Sequence, residues 1–389
     1  MNNESKGRIF IHFTLLILFV VLLSSLSTTL WEEKPETLPT DRELIFLDGM
    51  TIREFGEANQ LSNPLLKEVF GLESPEDMQR TLSSTGISLE TISSEVNKTL
   101  VLETEHASKN WMKIRLKFVL WAIYLGIAFY LLKTRRITPV LRIFLLVGAV
   151  VLFGIVLGAD PSPMGTVKDA VVLFGQTKVI FPPRLIAFLL MLIGGILIAN
   201  KFLCAWGCQF GTLQDLIFRL NRDSKDRRGI IKQVKVPFAV SNSIRVLLFA
   251  LMTLTAFLWV MDLIDPIDPF KIFKPLVLGI GSAVFIAALL IASLFIYRPW
   301  CHFFCPFGLV GWLVEKISIY RIHVDYETCI ACDACSKACP STVMEAVLKR
   351  NRIIPDCFSC GTCIGVCPTE SITFKAGKRS VPPVGKFKK

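Results

Sequence analysis

The sequence predicts an α-helical integral membrane protein with about six transmembrane helices and both termini inside. A small helical extracytoplasmic insertion and a small C-terminal α+β domain complete the expected fold. Three observations lead there. Of 389 residues, 52% are hydrophobic and only 19% charged, with a mean hydropathy of +0.54, which excludes an ordinary soluble enzyme. Six apolar runs approach the roughly 20 residues that a helix needs to cross a bilayer. Charge is also sorted along the chain: residues 31–110 hold 16 acidic and 7 basic residues, and the remainder holds 36 basic against 16 acidic, as the positive-inside rule demands.

The first element is the run Ile9–Leu30, preceded by Lys6 and Arg8, read as a retained transmembrane helix (1–30) and not as a cleaved signal peptide. Residues 31–112 follow as an acidic helical extracytoplasmic domain. Its helix starts are signalled by Thr51, by Asn63-Pro64 and by Ser74-Pro75-Glu76-Asp77. Five further spans are expected at about 116–132, 139–158, 184–203, 244–261 and 276–297, in a membrane domain covering 113–318. Basic stretches such as Lys133–Arg136 and 219–235 fall inside. The loop 159–183 and the turn carrying Asp262, Asp265 and Asp268 fall outside. Residues 376–389 form a basic tail suited to anionic lipid or an acidic partner. The setting is a prokaryotic inner membrane with the C-terminal domain in the cytoplasm.

Residues 319–375 carry the most specific signal. They contain two C-x2-C-x2-C-x3-C-P runs, Cys329 to Pro340 and Cys357 to Pro368. This is the spacing of bacterial ferredoxins, in which three cysteines of a run hold one 4Fe-4S cluster and the fourth crosses to the other. The expected ligand sets are Cys329, Cys332, Cys335 and Cys367, and Cys357, Cys360, Cys363 and Cys339. Zinc needs four ligands per ion and not a doubled triplet-plus-CP pattern, and disulfides do not suit a reducing cytoplasm. Four histidines, His12, His106, His302 and His323, are too few for a series of bis-histidine haems.

The other four cysteines form a second motif, also present twice. Cys204-x3-Cys208-Gln-Phe-Gly211 follows the fourth expected span, and Cys301-x3-Cys305-Pro-Phe-Gly308 follows the sixth, 97 residues later. Spacing of i and i+4 would put both sulfurs of a pair on one face of a helical turn. The offset reads as an internal duplication, with two equivalent corners meeting at the cytoplasmic face. Four thiolates can hold a third iron-sulfur cluster or another metal, copper(I) included; a dithiol relay and inert buried cysteines are the alternatives. His302 reads as an interface residue.

The paired C-x3-C motif joined to a double-cluster ferredoxin resembles the NapH/NosR/CcoG-type family of membrane iron-sulfur proteins, over about residues 115–375. The resemblance implies quinol oxidation for a periplasmic reductase, support of nitrous oxide reduction, or copper reduction and oxidase maturation. Gln209 departs from it, standing where the first motif usually has proline.

The expected function is therefore membrane-bound electron transfer, as a quinol dehydrogenase-like subunit of a respiratory complex. Its partners would be the lipid bilayer, a cytochrome or iron-sulfur subunit and a cytoplasmic carrier, with no nucleic acid. A quinone would sit near the loop 159–183 or near Trp206 and Trp300. A copper reductase, or a redox maturation or regulatory protein, is the alternative.

Overall fold

The computed structural model describes residues 3–31, 44–72 and 74–387. The expected start of the acidic segment, 32–43, lies outside them. From Leu44 onward that segment folds around its own small core of Ile52, Phe55, Leu65, Leu66, Ile92 and Val96. Helix α2 (Ile52–Ala58) begins in a capping box, with Thr51 N donating to Glu54 Oε2 at 2.8 Å. Helix α3 (Asn63–Phe70) is capped by Ser62 and stops at Gly71, which takes the left-handed conformation. The Ser74-Pro75 start opens only a short 3-10 turn, and α4 (Leu89–Ser108) closes the unit.

Among the described residues, four helices are long and apolar enough to cross a membrane, which points to a membrane protein. They are α1 (Asn3–Trp31), α5 (Trp111–Lys133), α6 (Pro139–Ala149, extended by a π-helical stretch to Val156) and α11 (Phe238–Leu258). Two expected spans are shorter than the sequence implied. The run 184–203 is α8 (Pro182–Leu192) with a π-helical extension to Leu197, and 276–297 is α12 (Ile280–Ala292). Helical bonding stops at Leu197 and Ala292; the residues after them build turns, and left-handed Lys201 and Arg298 cap the short helices that follow. One helix of the expected outer loop, α7 (Pro163–Thr177), packs against α8, α11 and a later helix, α14 (Pro306–Val314).

Each turn reverses the chain into a helical hairpin. The first is α9 (Phe202–Trp206) followed by α10 (Gln209–Leu220), and the second is α13 (Pro299–Phe303) followed by α14 (Pro306–Val314). The C-terminal domain then begins with strand β1 (Tyr320–Val324), paired antiparallel with the last strand β2 (Ile372–Ala376), Tyr320 opposite Ala376 and Val324 opposite Ile372. Both cysteine runs lie between these strands, with short helices α15 (Ala334–Ala338), α16 (Val343–Leu348) and α17 (Thr362–Gly365). An aromatic group docks this domain on the bundle: Phe129 of α5 contacts Tyr320 at 4.9 Å and Phe374 at 5.4 Å between ring centres.

Candidate metal centres

The two cysteine runs adopt the same irregular loop. In each, the residues flanking the second cysteine have positive φ: Ala331 (55°) and Asp333 (57°) around Cys332, Ser359 (45°) and Gly361 (75°) around Cys360. Non-glycine residues enter this region at a cost, so its recurrence at equivalent positions marks a loop shape that the surroundings enforce. Burial raises the Cys335 thiol to about 12, and its thiol neighbours Cys367, Cys329 and Cys332 add to the effect. Burial likewise raises Cys363, with Cys360, Cys339, Cys357 and Cys335 beside it. The fourth cysteine of each run thus lies with the first three of the other. Among the described residues no three potential ligands converge closely enough to grip an ion as they stand. What the fold provides is grouping of the sulfurs.

The two corners also meet. Cys301 is raised by burial and by Cys305, Cys208 and Cys204 nearby, and all four are buried. Their local geometry corrects the expectation of one helical turn per pair. Cys204 lies in α9 and Cys208 is the N-cap of α10, accepting from Gly211 N at 3.4 Å; Cys301 lies in α13 and Cys305 is the N-cap of α14. Burial raises both N-cap thiols, Cys305 to about 12, and the backbone N–H groups of Gly211 and Gly308 offset only part of that rise. The motif glycines have a steric cause. A Cβ on Gly211 would stand 2.8 Å from the Cys204 carbonyl oxygen, and one on Gly308 2.7 Å from that of Cys301.

The corners are tied to the bundle on one side and to the C-terminal domain on the other. The chain entering the first hairpin is bonded to the ferredoxin-like domain, Tyr320 N donating to Ile198 O at 2.9 Å. At the exit from α10, Arg222 Nη2 donates to Ala338 O at 2.8 Å. Between these points Gln209 Nε2 reaches Ala159 O at 2.6 Å, beyond the far end of the α6 extension. Twelve residues of helix rise about 18 Å, so α10 carries Gln209 inward from Arg222, and the second cysteine loop reaches the same tips, Trp206 Nε1 donating to Ser359 O at 3.3 Å.

A buried ionic frame, absent from the sequence reading, joins tips and loops. Lys201 and Arg298, the N-caps of α9 and α13, occupy equivalent positions and each reaches the opposite corner. Lys201 Nζ donates to Gly308 O at 2.6 Å and to Asp356 at 2.5 Å; Arg298 donates to Cys204 O, to Ala205 O at 3.0 Å and to Asp215 at 2.7 Å. Arg245 of α11 bonds Cys301 O at 3.2 Å and the second oxygen of Asp356 at 2.8 Å. Asp356 therefore ties Cys357, its neighbour in sequence, to both corners. A second carboxylate, Asp226, is gripped by Arg142 at 2.5 Å, Arg222 at 2.8 Å and Arg219, and accepts from Thr362 Oγ1 at 3.0 Å, between Cys360 and Cys363.

This frame tests whether an iron-sulfur group suits the site. Six buried cations, Arg142, Lys201, Arg219, Arg222, Arg245 and Arg298, face three buried aspartates, Asp215, Asp226 and Asp356, leaving three positive charges unmatched. Glu315, beside Cys357 N, does not balance them, because burial lifts its carboxyl to about 8. Arg142 Nε, Arg245 Nε, Arg298 Nε, Trp300 Nε1 and Ser359 Oγ are buried without an acceptor. Unmatched buried cations and donors are costly. A thiolate-ligated cluster is anionic and rich in sulfur acceptors, so donor set and surroundings both fit it.

Comparison with known proteins agrees in kind. A 4Fe-4S dicluster domain model matches residues 321–368, and a 4Fe-4S binding domain model matches twice, at 181–228 and 278–322, once over each hairpin. The chain is 30% identical over 206 residues to the "Putative electron transport protein YccM" of Escherichia coli (strain K12), covering 49% of this chain and 57% of that protein. It is 29% identical over 190 residues to the "Ferredoxin-type protein NapH" of the same organism, covering 46% and 62%. To the "Regulatory protein NosR" of Pseudomonas aeruginosa it is 25% identical over 197 residues, covering 48% and 25%. The chain thus spans less than two thirds of the length of these relatives, and no solved structure matches. The matches over both hairpins and the dicluster region make this an iron-sulfur electron-transfer protein related to the NapH- and NosR-type ferredoxins.

Proposed function

We propose that the chain is a membrane-bound electron relay, a subunit of a respiratory redox complex passing electrons between the quinone pool and a cytoplasmic carrier or redox partner. Cys329, Cys332, Cys335 and Cys367 would hold one 4Fe-4S cluster, and Cys357, Cys360, Cys363 and Cys339 a second. Cys204, Cys208, Cys301 and Cys305 would hold a third centre. When bound, such clusters supply one-electron chemistry without moving heavy atoms. The chain's own residues group the thiols, exclude water and supply the compensating cations.

One observation carries this reading: the three cysteine sets follow one another without a break. Cys363 has Cys335 of the first set among its neighbours, and Trp206 Nε1, between Cys204 and Cys208, donates to Ser359 O of the second loop at 3.3 Å. Phe358 fills the gap between loop and corners, its ring 5.4 Å from His302 and 5.7 Å from Tyr297. In the proposed orientation the ferredoxin domain faces the cytoplasm and the acidic unit faces a partner outside.

The test is redox cycling of the full chain in lipid nanodiscs under nitrogen. Cluster absorbance should bleach on adding dithionite and recover on adding a short-chain quinone. Absence of bleaching would overturn electron transfer; bleaching without recovery would overturn the quinone link.

A further inference from the structure

Building on that relay, we propose that the cleft between the starts of α5, α7 and α8 binds the head group of a lipid-soluble quinone. The cleft holds about 530 Å³ of empty space, its mouth included. Its lining is mostly apolar, with Trp111, Ile114, Phe181 and Ala187 among its walls, and it carries four charged side chains, Lys109, Arg184, Asp160 and Asp169. An apolar cleft with a few polar groups is the usual form of a small-molecule site.

Three observations choose the occupant. The charged lining sums to zero and pairs within itself, Arg184 Nη1 with Asp169 at 2.5 Å, so it does not select an anionic phosphate and suits a neutral molecule. Exposed apolar residues flank the cleft on the same helices, Met112 (71% exposed) on α5 and Ile186 (57%) on α8, with Ile180 (59%) just before it. In a membrane protein such faces meet lipid, so the approach lies within the bilayer.

The third observation is a direct mechanical link to the cysteine tips. Asp160 lines the cleft, and the adjacent Ala159 carbonyl accepts from Gln209, the residue after Cys208. Lys117 of α5 donates to Gly158 O at 2.9 Å and to Asp160 O at 3.4 Å, and Trp121 Nε1 donates to Gly207 O at 2.9 Å. The cleft wall and the first corner are thus held as one unit. Gln209, the departure from the usual proline, gains a role that a ring without donor atoms cannot fill.

The experiment is photolabelling of the full chain in nanodiscs with an azido-quinone, mapped by peptide mass spectrometry. Labels are expected on peptides containing 109–114, 160–166 or 181–187. Filling the cleft with Ala187→Trp, or independently with Ile114→Trp, should cut labelling at least tenfold, with iron content and dithionite bleaching unchanged. Labelling concentrated near Trp206 and Trp300, or undiminished in both variants, would overturn the location and leave the relay standing. Competition by phosphatidylglycerol but not by unlabelled quinone would assign the cleft to a lipid phosphate and overturn the proposal. No labelling anywhere would overturn the quinone link itself.

Discussion

Asp226→Ala is expected to destabilise the protein by about 3–5 kcal/mol, the typical cost of breaking a buried ion pair by removing one partner. The wild-type carboxylate is shared by Arg142 from α6, Arg219 from α10 and Arg222 from the turn after it, and it also accepts from Thr362 in the second cysteine loop. Its loss strands charge at the junction of two membrane-domain elements and the ferredoxin domain. Arg219 retains Asp215 at 2.9 Å; among the described residues Arg142 and Arg222 have no second carboxylate of this kind. Thermal unfolding in detergent, followed by cluster absorbance, should show a clearly lower midpoint, and Asp226→Asn should lose less because its amide still accepts. An unchanged midpoint for Asp226→Ala would show that the three arginines are satisfied elsewhere.

Cys363→Ser is expected to remove about four irons per chain and to abolish quinone-driven recovery of the first set's absorbance, leaving only that of the hairpin centre. Cys363 is buried with Cys360, Cys339 and Cys357 around it, and its loop lies between the first cysteine set and the two corners. The first set, Cys329, Cys332, Cys335 and Cys367, contains no residue of this triplet and should keep its cluster. Dithionite bleaching should therefore persist at reduced amplitude while quinone-driven recovery shrinks to the contribution of the hairpin centre. Wild-type iron content in the variant would mean that Cys363 is not a ligand.

The sequence and the structure agree most closely where spacing alone specifies chemistry. The doubled runs from Cys329 to Pro368 and the 97-residue repeat of the C-x3-C corners could be read without any tertiary information. The helix ends could not. Residues 293–297 continue an apolar run and Phe202-Leu203 resume one after Asn200-Lys201, so hydropathy extends the spans through them, whereas helical bonding stops at Leu197 and Ala292 and the chain turns back into the bundle. Once the chain turns back, the cysteines lie at inward tips and no longer along one side of a helix.

The ionic frame was hidden for a different reason. Asp215, Asp226 and Asp356 lie in unremarkable polar stretches, and their partners are brought to them only by tertiary folding. A signal was nonetheless present: Lys117, Arg142 and Arg245 each interrupt an apolar run, and a charge within a membrane span is by default a functional or pairing residue. Gln209 carried a similar clue. As a departure from proline it weakened the apparent equivalence of the corners, and in the fold it bonds the first corner to Ala159.

The central claim is that all twelve cysteines serve redox centres, eight in the ferredoxin domain and four at the hairpin tips. Iron and acid-labile sulfide per chain, measured on anaerobically purified full-length protein together with EPR of the reduced sample, test it most directly. The account predicts about ten to twelve irons and a third paramagnetic signal. About eight irons with two signals would leave the hairpin cysteines without a cluster, and zinc in place of iron would contradict the account altogether.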